Sequence, residues 1–232
     1  TLLAQGDSCI GSKTSINFKG YKNQLGGFYP PNKIYLDLKF LNTLPMKDIK
    51  SGLGEMSHYF VVAGKDDFFN YKKNYKNAMN NKKVMAKLIS KSLMIKKEYI
   101  EIDEFDMNKR QIFNYGHSFG HTIESLTNYS VPHGIAVSFG MDMANSLSVK
   151  MGFLKSKIRY EIREFLEDIW SGFNIKNLDS KKFVEVLAKD KKNVGNELRL
   201  ILCKGYGKVF KTPVKNNKKL KNWLDQYFKD EL

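Results

Sequence analysis

The stretch Asn114-Tyr115-Gly116-His117-Ser118-Phe119-Gly120-His121, followed by Pro132-His133-Gly134, contains three of the four histidines of this chain. His117 and His121 are four residues apart, so both project from one face of a helix. His133 follows a proline and precedes a glycine, a pattern typical of a helix start. The segment therefore predicts two helices that present histidines to one site.

The fourth histidine, His58, lies three residues after Glu55. This spacing also places two side chains on one helix face. Nitrogen and oxygen ligands with an open fourth position are typical of a catalytic zinc site, whereas structural sites close with four ligands and often use thiolates. The clustering of four histidines and a carboxylate predicts a catalytic metal centre.

Two other kinds of metal site fit the spacing less well. The segment from His117 to His121 is not the H-E-x-x-H of zinc proteases, because Ser118 stands where that motif has its glutamate. A di-iron helical bundle needs paired Glu-x-x-His motifs and further glutamates. Glu55-x-x-His58 and His121-x-x-Glu124 share the spacing, but no clean set of repeats exists.

Composition narrows the class of protein. The chain has 232 residues, of which 42% are hydrophobic and 13% aromatic, so it can bury a core and fold as a soluble globular protein. No apolar stretch reaches the roughly 20 residues of a membrane helix. Cys9 and Cys203 lie far apart, which excludes a disulfide framework and favours a reducing cytoplasm. The net charge of +15 does not by itself separate nucleic acid, an acidic membrane surface and an anionic small substrate as partners. Because the chain has no RNA-binding motif or zinc finger, we expect no nucleic-acid or membrane partner but a solvated lysine-rich surface, with a few lysines that bind phosphate or carboxylate.

The pattern of the chain changes at Pro45. Residues 1–45 are rich in Gly, Asn, Tyr and Pro and predict strands and loops, with the opening as the end of a buried strand. Beyond Pro45 the apolar periodicity predicts a mainly helical part, in which Asp48 caps the first helix. The predicted helices cover residues 48–62, 66–76, 82–97, 110–127, 134–151, 155–170, 179–189 and 216–229. One later strand-turn-strand is predicted from Leu198.

The loop Asp7-Ser8-Cys9-Ile10-Gly11-Ser12-Lys13-Thr14 contains groups suited to an anion. It lacks the first glycine of the G-x-x-x-x-G-K-[ST] phosphate-binding motif. Backbone N–H groups and the Lys13 ammonium could still bind a phosphate there. A turn with a solvated lysine is an equal interpretation of this loop by itself.

Together these segments resemble the 3-dehydroquinate synthase family of sugar-phosphate cyclases. The resemblance runs from Thr1 to about Gly152 and returns at Asp190-Lys191-Lys192-Asn193-Val194-Gly195. Its specific part is the Asn-x-Gly-His-x-x-Gly-His segment followed at a fixed distance by His133-Gly134. The resemblance implies a mainly α metal-binding domain at 46–232, preceded at 1–45 by strands and loops that would complete an α/β NAD-binding domain.

The resemblance also implies roles for individual residues. The metal, Zn²⁺ or Co²⁺, would be bound by Glu55, His117 and His133. Catalytic positions are Asp7, Lys13, His121 and His58. The sugar-phosphate substrate would be bound by Lys13, Asn23, Lys96, Arg110, Asn114 and Lys191, and NAD by Thr1, Lys13, Lys22, Phe40, Leu41, Asn42 and Thr43.

The implied reaction converts 3-deoxy-arabino-heptulosonate 7-phosphate to 3-dehydroquinate in the shikimate pathway of aromatic amino acid biosynthesis. NAD would take up and return a hydride while phosphate leaves and the ring closes, which makes the enzyme a carbon-oxygen lyase. The complete protein is expected to be a cytoplasmic homodimer. No G-x-G-x-x-G stretch is present, so we expect this sequence to be a fragment whose nucleotide-binding part lies upstream, or else to pair with a separate chain that supplies that part.

Three positions depart from the family pattern. His58 replaces a lysine that contacts substrate, Ser12 replaces a glycine, and Asp106 replaces a glutamate. Lys96 and Arg110 are retained and suit a substrate carboxylate. Other interpretations stay open: a sister cyclase acting on sedoheptulose 7-phosphate or glucose 6-phosphate, a metal-dependent polyol dehydrogenase, or a non-catalytic basic module that binds metal.

Overall fold

The computed structural model describes residues 1–18, 21–189 and 195–232, and within these ranges the side chains of residues 17 and 21–24 are not described. Eight α-helices dominate the described part of the chain. They are α1 (Met46–Ala63), α2 (Lys65–Ala78), α3 (Lys82–Ile102), α4 (His117–Leu126), α5 (His133–Lys150), α6 (Ser156–Trp170), α7 (Ser180–Ala188) and α8 (Lys218–Asp230). The predicted mainly helical fold is confirmed.

Two antiparallel hairpins contain the strands of the described chain. Strands β1 (Lys13–Phe18) and β2 (Tyr21–Phe28) pair near the start of the chain. Strands β3 (Glu197–Cys203) and β4 (Val209–Lys215) pair near its end. The second hairpin is the strand-turn-strand that the sequence predicts from Leu198.

Helix α5 lies at the centre of the fold. Its residues from Gly134 to Ser148 are all buried, which is expected of a helix surrounded by other elements on every side. Helices α1, α4 and α6 pack against it, and strand β3 contacts it as well. The first residue of α5, His133, therefore lies at the edge of the core, where α1 and α4 also meet.

Helix boundaries differ from the predictions in three places. Residues 2–8 are helical, with a π-helical turn at Ala4–Ser8, so the prediction of a buried strand there is wrong. Helix α1 begins at Met46 after Pro45, whose backbone suits a helix start, and Asp48 lies in the first turn without capping it. The predicted helix over 110–127 is a 3-10 helix at Lys109–Asn114 followed by α4, because Gly116 adopts a positive φ of 82° between them.

Side-chain caps set three other helix starts. The side chains of Asn81, Asp179 and Asn217 accept hydrogen bonds from backbone N–H groups in the first turns of α3, α7 and α8. Such caps satisfy donors that have no partner inside the helix.

No helix of the described chain has the length and apolar character that a membrane crossing requires.

Candidate metal centre

Three helices bring all four histidines of the chain to one pocket. Helix α1 carries Glu55 and His58, α4 carries His117 and His121, and α5 begins with His133. Glu55 and His58 are buried, and His133 is the most exposed of the predicted metal ligands, with 27% of its side chain accessible. The described structure thus brings together the carboxylate and the histidines that the sequence predicts.

Glycines at the helix crossings make this convergence sterically feasible. A Cβ on Gly134 of α5 would lie 1.8 Å from the Ser51 carbonyl oxygen of α1, and a Cβ on Gly54 would lie 2.4 Å from the Gly134 carbonyl oxygen. The Ser51 hydroxyl oxygen also accepts a hydrogen bond of 3.0 Å from Gly134 N. The two backbones therefore touch where α1 carries Glu55 and α5 carries His133.

The carboxylate of Glu55 lies at the centre of the cluster. Its Oε1 is 3.3 Å from His117 Nε2 and 3.3 Å from His58 Nε2, and its Oε2 is 3.3 Å from His133 Nε2. Two ligands at about 2.0–2.1 Å from a tetrahedral ion lie about 3.3 Å apart. The separations in the cluster are those of ligands around one ion.

The second ring nitrogens of two histidines contact acceptors outside the cluster. His117 Nδ1 lies 3.3 Å from the Tyr115 carbonyl oxygen, and His133 Nδ1 lies 3.1 Å from Glu124 Oε2. Because a carbonyl or carboxylate oxygen only accepts, each of these two Nδ1 atoms carries a proton. This arrangement orients each Nε2 toward Glu55, as outer partners do for metal-binding histidines.

The electrostatics of the cluster favour a buried negative charge on Glu55. Burial opposes ionisation, but His117 and His133 outweigh it and hold the pKa of Glu55 well below its usual value. Burial lowers the pKa of His117 despite the nearby carboxylate. Burial by itself would lower the pKa of His133, but the neighbouring carboxylates of Glu55 and Glu124 outweigh burial and raise this pKa to about 10.

The residues present fit a divalent cation. Glu55 Oε2 is buried and makes no hydrogen bond, although His133 Nε2 lies 3.3 Å away. An orphaned carboxylate oxygen is unusual in a folded protein and is satisfied if an ion lies between these groups. Two groups of three possible ligands have their ligand atoms within 4.8 Å of one another. One is Glu55 with His58 and His117, and the other is His121 with Glu124 and His133. Of the histidines in these groups, His117 and His133 have rings that an outer acceptor at Nδ1 orients toward Glu55.

The pocket that the cluster lines has a volume of about 390 Å³ and is also lined by two buried cations, Lys96 and Arg110. Lys96 Nζ donates to the backbone oxygen of Asp7 at 2.7 Å and to Asp7 Oδ1 at 2.8 Å. Arg110 donates to the carbonyl oxygens of Glu104 at 2.6 Å and Gly11 at 2.9 Å. Both cations are more than nine-tenths buried, so their positions are held by the fold.

Other predicted substrate contacts lie in the same pocket. Lys13 Nζ makes a 2.5 Å ion pair with Asp106 Oδ2 across the opening. Asn114 and His121 also line the pocket, and Asn114 Nδ2 donates to the Gln111 carbonyl oxygen at 2.9 Å. These contacts place Lys13, Asn114 and His121 within reach of a small molecule bound beside the cluster.

The predicted NAD contacts lie partly at this pocket and partly outside it. Of these residues, Lys13 lines the described pocket, whereas Thr1 and the segment 40–43 lie outside its lining, with Phe40 71% exposed. The side chains of Lys22 and Asn23, and the whole of Lys191, lie outside the described residues. Of the predicted NAD contacts whose side chains are described, Lys13 is therefore the one that lines the pocket beside the histidines.

The prediction did not include two residues that the structure places at the site. Glu124 contacts His133, and the buried Tyr59 lines the pocket and donates its hydroxyl to Asp7 Oδ1. Glu124 lies three and seven residues after His121 and His117, a helical spacing that the sequence interpretation used only to weigh a di-iron site. Tyr59 gave no such signal, because Asp7 is 52 residues away in the chain.

Comparison with protein families gives two adjoining matches. The model described as 3-dehydroquinate synthase N-terminal matches residues 1–51, and the one described as 3-dehydroquinate synthase C-terminal matches residues 52–193. The second match includes the glutamate and all four histidines of the site.

Curated relatives carry the same name. The chain is 37% identical over 223 residues to a 3-dehydroquinate synthase of Campylobacter curvus (strain 525.92), covering 95% of this chain and 64% of the relative. It is 39% identical over 212 residues to that of Dictyoglomus thermophilum (strain ATCC 35947 / DSM 3960 / H-6-12), covering 90% and 59%. The chain thus spans about three fifths of the length of these relatives.

Solved structures share the fold. A 2-deoxy-scyllo-inosose synthase complexed with carbaglucose-6-phosphate, NAD⁺ and Co²⁺ matches with a TM-score of 0.84 at 23% identity, over 97% of this chain and 64% of that one. A 2-epi-5-epi-valiolone synthase from Streptomyces hygroscopicus subsp. jinggangensis 5008, with NAD⁺ and Zn²⁺ bound, matches with a TM-score of 0.81 at 21% identity, over 97% and 63%.

Proposed function

Because the chain belongs to the 3-dehydroquinate synthase family, we propose that it is the metal- and substrate-binding part of a 3-dehydroquinate synthase. The enzyme would convert 3-deoxy-arabino-heptulosonate 7-phosphate to 3-dehydroquinate and release phosphate, as a lyase of the shikimate pathway. The observation that carries the proposal is the contact of Glu55 with His117 and His133, next to the buried cations Lys96 and Arg110.

The proposed metal ligands are Glu55, His117 and His133, and the ion is Zn²⁺ or Co²⁺. The orphaned Glu55 Oε2 and the oriented rings of the two histidines support this set. The solved cyclases of this fold, which contain Co²⁺ or Zn²⁺, are consistent with it. When bound, the ion would acidify a substrate hydroxyl so that NAD⁺ can accept a hydride from the same carbon.

Lys96 and Arg110 are proposed to bind the substrate carboxylate. A lysine ammonium has three N–H donors and an arginine side chain has five. The contacts described above use two donors of each, so donors remain for an anion. Because both cations are held by backbone carbonyls of the protein, they would orient the substrate without large rearrangement.

Further residues are proposed to act on the other substrate groups. Lys13 and Asn114 would contact the phosphate, with Asn23 and Lys191 as additional substrate contacts. His121 would hold or move a proton beside the leaving group. Asp7, held by Tyr59 and Lys96, would accept from a substrate hydroxyl.

The NAD site would include Thr1, Lys22 and residues 40–43, and the rest of it would come from the segment that the relatives have and this chain does not span. We further propose that the complete enzyme is a cytoplasmic homodimer. Size-exclusion chromatography with light scattering would test the oligomeric state.

The test is phosphate release by the protein, together with any residues encoded before Thr1, given NAD⁺, Zn²⁺ or Co²⁺ and one sugar phosphate at a time. We expect release from 3-deoxy-arabino-heptulosonate 7-phosphate. A Glu55→Gln change should reduce that release by at least about a hundredfold, because it removes the ligand charge that the ion needs. A Glu167→Gln change on the exposed face of α6 is the control and should leave release unaffected.

A sister sugar-phosphate cyclase is the second candidate. The fold likeness to 2-deoxy-scyllo-inosose and 2-epi-5-epi-valiolone synthases supports it, as does Asp106 at a position where the family pattern has a glutamate. Release only from sedoheptulose 7-phosphate or glucose 6-phosphate would favour this candidate. No release from any sugar phosphate would contradict both.

A further inference from the structure

His58 is a buried residue with one ring nitrogen that has no hydrogen-bond partner. Its ring has no accessible surface and lies among Tyr59, Phe113 and His117, with centroid distances of 3.9, 5.8 and 5.1 Å. Its Nε2 lies 3.3 Å from Glu55 Oε1 with hydrogen-bond geometry, whereas its Nδ1 is buried without a partner. Buried polar atoms without partners are rare, so the position of the ring proton matters.

The surroundings decide which nitrogen of His58 carries that proton. A neutral imidazole has one N–H, and the acceptor that contacts this ring is Glu55 Oε1, opposite Nε2. A proton on Nδ1 would leave a buried donor unsatisfied and would turn the bare Nε2 toward a carboxylate oxygen. The proton therefore belongs on Nε2.

This tautomer is opposite to that of the two neighbouring histidines. His117 and His133 have acceptors beside Nδ1, so each keeps its Nδ1 proton and can offer the Nε2 lone pair to an ion that takes the place of any proton there. His58 has its acceptor beside Nε2 and so has no lone pair to offer on the side of Glu55. Histidines within a few ångströms of one carboxylate thus differ in what they can do.

We propose that His58 is a positioning residue of the metal centre, which donates from Nε2 to Glu55 Oε1 and is not itself a ligand. This role rests on the proposed metal centre. The hydrogen bond restrains rotation of the Glu55 carboxylate and keeps Oε2 directed toward His133, where the ion binds. It also satisfies one lone pair of a carboxylate that is otherwise buried among histidines.

The test compares Co²⁺ affinity in the full chain and in three variants. His58→Phe keeps an aromatic ring but removes the donor, and His58→Gln restores an N–H at a similar distance from the backbone. Ser57→Ala is the matched control, since Ser57 is equally buried on α1, does not contact Glu55 through its side chain in the hydrogen bonds described, and donates its hydroxyl to the Leu53 carbonyl oxygen of its own helix. Melting temperatures of all variants monitor the fold.

We expect His58→Phe to weaken Co²⁺ binding by about ten- to a hundredfold, the usual cost of losing an outer partner of a metal ligand. His58→Gln should bind within about threefold of the unchanged chain. The Co²⁺ absorption spectrum should keep its intensity in both variants, because the number of protein ligands stays the same. A second measurement needs no substitution: ¹⁵N chemical shifts of His58 in the Zn²⁺-loaded chain should show a protonated Nε2.

Other outcomes would overturn the role. Equal Co²⁺ affinity of the His58→Phe and unchanged chains would show that the hydrogen bond does not position Glu55. An unprotonated Nε2 of His58 in the Zn²⁺ form, or a loss of a ligand in the Co²⁺ spectrum, would make His58 a ligand instead. If the unchanged chain binds no Co²⁺, the proposed metal centre itself fails, and the role of His58 fails with it.

Discussion

Glu55 is the residue on which the site depends, because its two oxygens contact three different histidines. Each of these histidines has a different second contact: a carbonyl oxygen for His117, the carboxylate of Glu124 for His133, and none for Nδ1 of His58. In the proposed metal centre the same side-chain type would thus serve two purposes, ligand and positioning residue, within a few ångströms. The difference arises from hydrogen-bond partners and not from residue identity.

The two cysteines allow a prediction at this scale. Burial is the main cause that raises the pKa of Cys203 to about 11, so at pH 8 about one thiol in a thousand would be ionised. Iodoacetamide should therefore leave Cys203 of the native chain unmodified, whereas the half-buried Cys9 should react slowly. Mass spectrometry would check this: we expect one label on the native chain and two labels after denaturation. Rapid labelling of Cys203 at pH 8 would contradict its burial in β3.

At the scale of helices, the close crossing of α1 and α5 determines where the ligands meet. Gly54 and Gly134 let the two backbones touch, and the Ser51 hydroxyl bonds the first turn of α5. Helix crossings of ordinary residues place the axes 8–10 Å apart. At such an axis separation the side chains of Glu55 and His133 would lie too far apart to bind one ion readily.

A Gly134→Ala substitution tests this crossing. Its Cβ would lie 1.8 Å from the Ser51 carbonyl oxygen and 2.7 Å from Glu55 N, and backbone atoms cannot move aside individually. We expect a loss of about 1–3 kcal/mol or more in the free energy of unfolding and weaker Co²⁺ binding, because α5 must shift away from Glu55. Urea denaturation and Co²⁺ titration would measure the two effects.

Gly27→Ala in β2 is the matched control for that substitution. A Cβ at Gly27 meets no atom within 4 Å, so stability and Co²⁺ affinity should remain close to those of the unchanged chain. If Gly134→Ala behaved like Gly27→Ala, the close approach of α1 and α5 would not be needed for the site.

Across the whole molecule, one buried carboxylate links three helices. Asp142 of α5 accepts from Arg159 Nε at 3.0 Å and Nη2 at 2.9 Å, and from Arg163 Nη1 at 2.8 Å, both on α6. It also accepts from the Tyr227 hydroxyl of α8 at 2.8 Å. Since α5 carries His133 at its start, this network anchors the helix on which the site is built.

Asp142→Asn should destabilise the chain by up to roughly 3–5 kcal/mol, because Arg159 and Arg163 lose their buried counter-charge and keep only the more exposed Glu231 and Glu167. The free energy of unfolding from urea denaturation measures this. Glu167→Gln is the control: it removes a half-exposed partner of the same Arg163 and should cost less than about 1 kcal/mol. Equal effects of the two substitutions would contradict the structural importance of the buried network.

The sequence by itself determined the helical class, the approximate position of most helices and the second hairpin. Periodic apolar residues and local breakers such as Pro45 and Pro132 act within a few turns of chain, so a linear reading detects them. It also predicted which residues carry the site, since Glu55 with His58 and His117 with His121 have helical spacing. Their roles as ligands remain a prediction until metal binding is measured.

Only the tertiary structure decided how these residues meet. Tyr59 contacts Asp7 from 52 residues away, Lys96 contacts the same residue from 89 residues away, and α1 touches α5 through Gly54 and Gly134. Local break-points also escaped prediction, as at Gly116, where a positive φ divides one expected helix into two elements. The physical reason is that ring orientation and helix approach depend on packing between distant segments, which no local pattern encodes.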